Sequence, residues 1–118
     1  MADPVILIVD DEPQVRNAVE RDLRQKYGAD YRIINAGSGS EALDATRQLK
    51  ERNAPLALFL VDQLMPGMNG TEFLTQAIKL YPDARRVVLT AYADTEAAIA
   101  SINSLGLDYY LMKPWDPP

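Results

Sequence analysis

The sequence predicts an α/β fold: a doubly wound, five-stranded parallel sheet with strand order 2-1-3-4-5. Three observations lead there. Short apolar, β-branched runs alternate with stretches of helical periodicity along the chain. The connections are only a few residues long, which suits strand–helix–strand units with right-handed crossovers. The length of 118 residues suits a single domain, 1–118.

Val5-Ile6-Leu7-Ile8-Val9 is a continuous β-branched run, the mark of a strand buried on both faces. Pro13 is placed for the first turn of a helix, and Val15, Ala18, Val19, Leu23 and Tyr27 recur at helical spacing up to a stop at Gly28. Tyr31 to Asn35 reads as a second, more polar strand at a sheet edge. Ser38-Gly39-Ser40-Glu41 has the form of a capping box, opening a helix that runs to about Arg52. Leu56 to Val61 is a third strand, apolar on both faces. Asn69, with Glu72 three residues on, opens a helix that turns Phe73, Leu74, Ala77 and Ile78 inward and ends at Pro82-Asp83. Arg86 to Thr90 is the fourth strand. Asp94 opens an Ala-rich helix carrying Ile99, Ile102 and Leu105, closed by Gly106, and Tyr109 to Met112 is the fifth strand. The chain then reads Lys113-Pro114-Trp115-Asp116-Pro117-Pro118. Asp116-Pro117 is a helix-start signal, so the chain is expected to be cut from a longer protein or to lack a final helix. A sheet face left uncovered in this way makes self-association possible.

Composition removes several function classes. There is no cysteine and no histidine, which excludes thiol catalysis, disulfide scaffolds, Ser-His-Asp triads and His-ligated metals. Twelve basic against seventeen acidic side chains give a net charge of −5, which argues against direct nucleic-acid binding. The longest apolar runs are about seven residues, too short for a membrane span or a signal peptide. A cytoplasmic domain is expected.

The chemistry-bearing residues fall at the carboxyl ends of strands: Asp10-Asp11 after the first, Asp62 after the third, Thr90 at the fourth, Lys113 after the fifth. Open α/β sheets bind ligands at that edge, near the switch point. Three carboxylates there repel one another, and a hard divalent cation removes the conflict. Magnesium takes one or two carboxylates and keeps room for phosphate oxygens. Asp10, Asp11 and Asp62 therefore read as a Mg²⁺ site that accommodates a phosphoryl group, with Lys113 as a fixed positive charge and Thr90 as a hydroxyl donor. An ionised aspartate attacks phosphorus without a general base. Each residue alone has an ordinary explanation. An acidic pair before a helix serves capping and dipole chemistry, Asp62 borders a turn, Thr90 is a strand threonine, and Lys113 is a solvated lysine. Their joint placement at one edge is what carries the reading.

Val9-Asp10-Asp11-Glu12, Leu60-Val61-Asp62 through Met65-Pro66 to Gly70, Val88-Leu89-Thr90-Ala91, and Tyr110-Leu111-Met112-Lys113-Pro114 together resemble the receiver domain of two-component response regulators, a flavodoxin-like fold. The resemblance covers the whole chain except the expected last helix. It implies that Asp62 accepts a phosphoryl group from a sensor histidine kinase or phosphotransfer protein. Asp11, Asp62 and the backbone carbonyl of Leu64 would bind Mg²⁺ directly, and Asp10 through water. Lys113 and Thr90 would contact the phosphoryl oxygens. Tyr110 matches the family's switch aromatic, moving with Thr90 to reshape the surface of the 94–105 helix and the last strand and so control an output domain or effector; read alone, it is a half-buried sheet aromatic. Lys113-Pro114 resembles the family's cis peptide. Leu64 and Tyr92 occupy positions that tune phosphoryl lifetime, and both are bulky enough to shield an acyl phosphate from water. The resemblance implies no enzyme beyond promotion of the domain's own phosphorylation and dephosphorylation.

Three alternatives are weighed. A phosphorylation-independent interaction module usually lacks one of the acids, the Thr or the Lys. A flavodoxin-like cofactor binder needs a Gly- or Ser/Thr-rich turn after the first strand, where this chain has Asp10, Asp11 and Glu12. A metal-dependent phosphatase of one such family places a second acid two residues past the nucleophile, where this chain has Leu64.

Overall fold

The computed structural model describes residues 3–90 and 109–112. In chain order they form β1 (Val5–Val9), α1 (Pro13–Tyr27), β2 (Arg32–Ala36), α2 (Gly39–Glu51), β3 (Leu56–Asp62), α3 (Gly70–Leu80), β4 (Arg85–Thr90) and β5 (Tyr109–Met112). The strands make one parallel sheet in the order β2-β1-β3-β4-β5. This is the expected arrangement, with β2 at an edge and the chain reversing direction across the sheet at β1. The helix expected from Asp94 to Gly106, Tyr92, and the segment from Lys113 to Pro118 lie outside the described residues.

The period-2 alternation of β1 explains why its run is apolar throughout. All five residues are buried, but they serve two different layers. Val5, Leu7 and Val9 join the core beneath α2 and α3, with Phe59, Val61, Phe73, Leu74 and Val88. Ile6 and Ile8 point to the other face and pack with Val19 of α1, Ile33, Leu60 and Val87. A strand covered by helices on both faces has no solvent side on which to place a polar residue. Phe59 and Phe73 meet edge to face, 5.6 Å between centroids, and burial of one such ring stabilises by about 1.5–3 kcal/mol.

Helix ends follow their local chemistry, with some departures. Pro13 sits in the first turn of α1, and Glu12 precedes it as the N-cap residue. Asn69 forms a complete capping box with Glu72: its side chain accepts from the Glu72 amide at 2.8 Å, and Glu72 accepts from the Asn69 amide. The box expected at Ser38 is only half formed. Ser38 Oγ accepts from the Glu41 amide at 3.1 Å, but the Glu41 carboxylate reaches past Ser38 to accept from the Gly37 amide. Other expectations shift by a residue. Strand β2 covers Arg32–Ala36 rather than Tyr31–Asn35, because its ladder pairs Arg32 with Val5 and Ala36 with Val9. Strand β4 begins at Arg85, and β3 includes Asp62 itself. Helix α3 ends at Leu80, before Pro82. Tyr27 does not turn inward: it is 36% exposed, stacked edge-on against Tyr31 with Lys26 over its ring.

Candidate functional site

Ladder register assembles the site before any side chain is considered. Val9 is paired with Val61, so Asp10 and Asp62 are the next residues on adjacent strands. Asp62 is paired in turn with Leu89, which places Thr90 one step beyond at the same edge. Thr90 is paired with Met112, the residue before Lys113 in the sequence. Tyr110 lies beside Val88. The backbone thus lines up all the predicted positions that fall within described elements, while Lys113 itself lies outside them.

The carboxylates converge. Asp10, Asp11, Glu12 and Asp62 each present a ligand-type oxygen, and these oxygens all lie within 4.8 Å of one another. Asp10 and Asp62 are each only 3% exposed. The capping explanation of the acidic pair does not hold, since neither Asp10 nor Asp11 is the N-cap of α1 and the N-cap residue makes no side-chain cap bond. Instead Asp10 Oδ1 accepts the Glu12 amide at 2.8 Å, an Asx turn that folds the acidic run back on itself. Asp11 Oδ1 is buried and accepts no hydrogen bond. A buried carboxylate oxygen with no donor is costly. An oxygen-lined cluster with one such orphan fits a hard divalent cation, which supplies what the oxygen lacks. Glu12 is the member to which the sequence assigns no metal role, although its place directly after Asp10-Asp11 is the available signal.

The third strand's end is held from the α3 side. Gly70 donates its amide to the Gln63 carbonyl at 3.1 Å. Gln63 Oε1 accepts from both the amide and the hydroxyl of Thr71, at 3.0 and 2.7 Å. A Cβ on Gly70 would lie 2.5 Å from the Asp62 carbonyl oxygen, so only glycine lets the helix start this close to the strand end. Leu64, in the loop that follows, is 54% exposed. Among the described residues no helix is long and apolar enough to cross a membrane.

Comparison with known proteins is consistent with this geometry. Residues 6–118 match the response regulator receiver domain family. The chain is 37% identical over 112 residues to the hydrogenase transcriptional regulatory protein HoxA of Cupriavidus necator, covering 95% of this chain and 21% of that protein. It is also 37% identical over 112 residues to the DNA-binding response regulator MtrA of Mycolicibacterium smegmatis, covering 45% of it. The chain therefore spans less than half the length of these relatives. A CheY-like receiver domain protein from Methanospirillum hungatei superposes with a TM-score of 0.81 at 33% identity, over 98% of this chain and 86% of that one. A Burkholderia pseudomallei response regulator, solved with a phosphorylated aspartic acid, calcium ion and citrate, gives a TM-score of 0.80 at 27% identity, over 97% of this chain and 62% of that one. With its sheet order, its acidic edge and these likenesses, the chain belongs to the response regulator receiver domain family.

Proposed function

We propose that the chain is a Mg²⁺-dependent phosphoacceptor whose acceptor is Asp62. The observation that carries this is the convergence of Asp10, Asp11, Glu12 and Asp62 within 4.8 Å at the switch-point edge of the sheet, with an orphaned oxygen on Asp11. Asp11, Asp62 and the Leu64 backbone carbonyl would hold the cation, and Asp10 would act through water. When bound, Mg²⁺ neutralises charge on the transferring phosphoryl group. An Asp62 carboxylate oxygen attacks the phosphorus of a sensor kinase's phosphohistidine. The O–P bond forms as the P–N bond breaks, and the electron pair returns to the imidazole nitrogen, which takes a proton. Lys113 and Thr90 contact the phosphoryl oxygens, and Thr90 with Tyr110 passes the change to the surface formed by β5 and the segment before it. Phosphorylation adds up to two charges and three acceptor oxygens, which gives two states with different contacts. The output is a module or effector outside this chain. The transcriptional relatives support an output of that kind when the domain stands in a longer protein.

The test is intact mass after incubation with acetyl phosphate and Mg²⁺, with Asp62→Asn in parallel. The expected result is a gain of one phosphoryl group that requires Mg²⁺ and is absent in the variant. A folded protein that gains nothing would favour the phosphorylation-independent interaction module, and an adduct retained in Asp62→Asn would move the acceptor elsewhere.

A further inference from the structure

The peptide of Asp10 is gripped from both sides. Its amide donates to the Ala36 carbonyl at the end of β2, at 3.1 Å. Its carbonyl accepts from Arg16 Nη1 at 2.9 Å, from the second turn of α1. The guanidinium reaches that carbonyl by passing Gly37, where an added Cβ would stand 2.9 Å from Nη1. Gly37 is itself fixed, its amide donating to Glu41 Oε2 at 3.1 Å, which is the bond that left the Ser38 capping box half formed. Gly37 is not among the residues with positive φ, so its backbone does not require glycine. An added Cβ would instead crowd the flexible end of the Arg16 side chain.

We propose that Arg16 is a positioning residue for the cation site. This rests on the proposed function. The Arg16 bond fixes the carbonyl of the residue whose own Oδ1 accepts the Glu12 amide, so one charge-assisted contact sets the turn carrying three of the four carboxylates. Charge and position predict opposite signs. Arg16 is a cation beside a cation site, so by charge alone its removal would tighten Mg²⁺ binding. As a positioning contact its loss weakens binding, and losing a group that orients metal ligands typically costs about 10–100-fold in affinity.

The experiment measures Mg²⁺ affinity by titration calorimetry and the exchange rate of the Glu12 amide by NMR. The proteins are wild type, Arg16→Ala, Gly37→Ala and, as a control for charge, the exposed Arg47→Ala. Gly37→Ala keeps the arginine's charge but displaces its end group, so it separates position from charge. The expected result is Mg²⁺ binding weakened by about 10–100-fold and faster Glu12 exchange in Arg16→Ala, a smaller change in the same direction or none in Gly37→Ala, and neither in Arg47→Ala. Binding that is unchanged or tighter in Arg16→Ala, or tighter in Gly37→Ala, overturns the proposal. If wild type binds no Mg²⁺, the metal part of the proposed function fails, and Glu12 exchange alone decides the role of Arg16: unchanged exchange in both variants rejects it.

Discussion

Gly70→Ala tests how closely the start of α3 must approach the acceptor strand. The new Cβ would meet the Asp62 carbonyl oxygen at 2.5 Å, the Asp62 carbonyl carbon at 3.1 Å and Gln63 Cα at 3.1 Å. All three are backbone atoms, so no side chain can swing away. Reaching even a tight contact requires the strand end and the helix to separate by roughly half an ångström, in an interior that is close-packed. Overpacking of this kind costs about 1–3 kcal/mol. Replacing glycine by alanine in a helix returns up to about 1 kcal/mol, so urea unfolding should show a net loss of about 0–3 kcal/mol. The effect on function should be larger. The atoms pushed belong to Asp62 and Gln63, and since a misplacement of about 1 Å can cost roughly a hundredfold in rate, half of that should cost roughly tenfold. The assay is the initial rate of mass gain with acetyl phosphate and Mg²⁺, with Asn69→Ala as comparison. That variant removes the capping box of the same helix at a cost of about 1 kcal/mol but puts no atom near Asp62. Gly70→Ala should lose stability comparable to Asn69→Ala and far more rate. Equal rates in the two variants would refute the claim that this glycine sets the acceptor's position.

Two further outcomes follow from single residues. Gly67 has φ of +80° and open space around its Cβ position, so Gly67→Ala should cost about 1–2 kcal/mol through backbone conformation alone, and Gly67→Asn should cost less, as chemical denaturation of the two variants would show. Burial raises the pKa of Tyr81 above its ordinary value of 10.0, while its hydroxyl donates to the Ala54 carbonyl at 2.6 Å. The native state therefore holds that proton at a pH where the unfolded chain has released it. The Tyr81 contribution to stability is complete below pH 10 and is lost as pH rises through the native pKa. Tyr81→Phe should unfold about 1 kcal/mol more easily at neutral pH and show a shallower alkaline decline. An identical alkaline slope in the two proteins would contradict the shift.

The sheet was legible because its determinants are local and periodic. Five consecutive apolar residues in β1 already say that both faces are covered, and the alternation shows which residue serves which layer. The strand ends were legible too: once β1 and β3 are neighbours, Asp10 and Asp62 must meet at one edge. What sequence could not supply were the contacts made by long side chains and close backbone approaches. Glu41 lies three residues past Ser38, as a capping box requires, yet its carboxylate bonds to the Gly37 amide. Nothing in the spacing of Arg16 or Gly37 marks them as partners across two elements. Tyr27 has the periodicity of a core position, but it falls in the last turn of α1, where an edge-on stack with Tyr31 is available instead. Glu12 was hidden by its neighbours, since a third acid after two aspartates adds little to a pattern but a full ligand oxygen to a cluster.

The arrangement of glycines and carboxylates also shows why this edge suits a switch. Two carboxylates held at 3% exposure, with a buried oxygen of a third lacking a donor, oppose folding unless hydrogen bonds and cations compensate. The fold meets this with fixed backbone geometry: the Ala36 and Arg16 contacts on Asp10, and Gly70 and the Gln63–Thr71 clasp behind Asp62. Asp10 and Asp62 are thereby held at neighbouring strand ends, with their carboxylates close together. In the proposed function a cation would offset charge there, and a phosphoryl group would add charge in the same place. Because the supports of Asp10 and Asp62 come from α1 and α3 on opposite faces of the sheet, a change in the force between those two residues acts on both layers together. A site on one loop could bind the same ion, but only one bridging two strands places its electrostatics across the core.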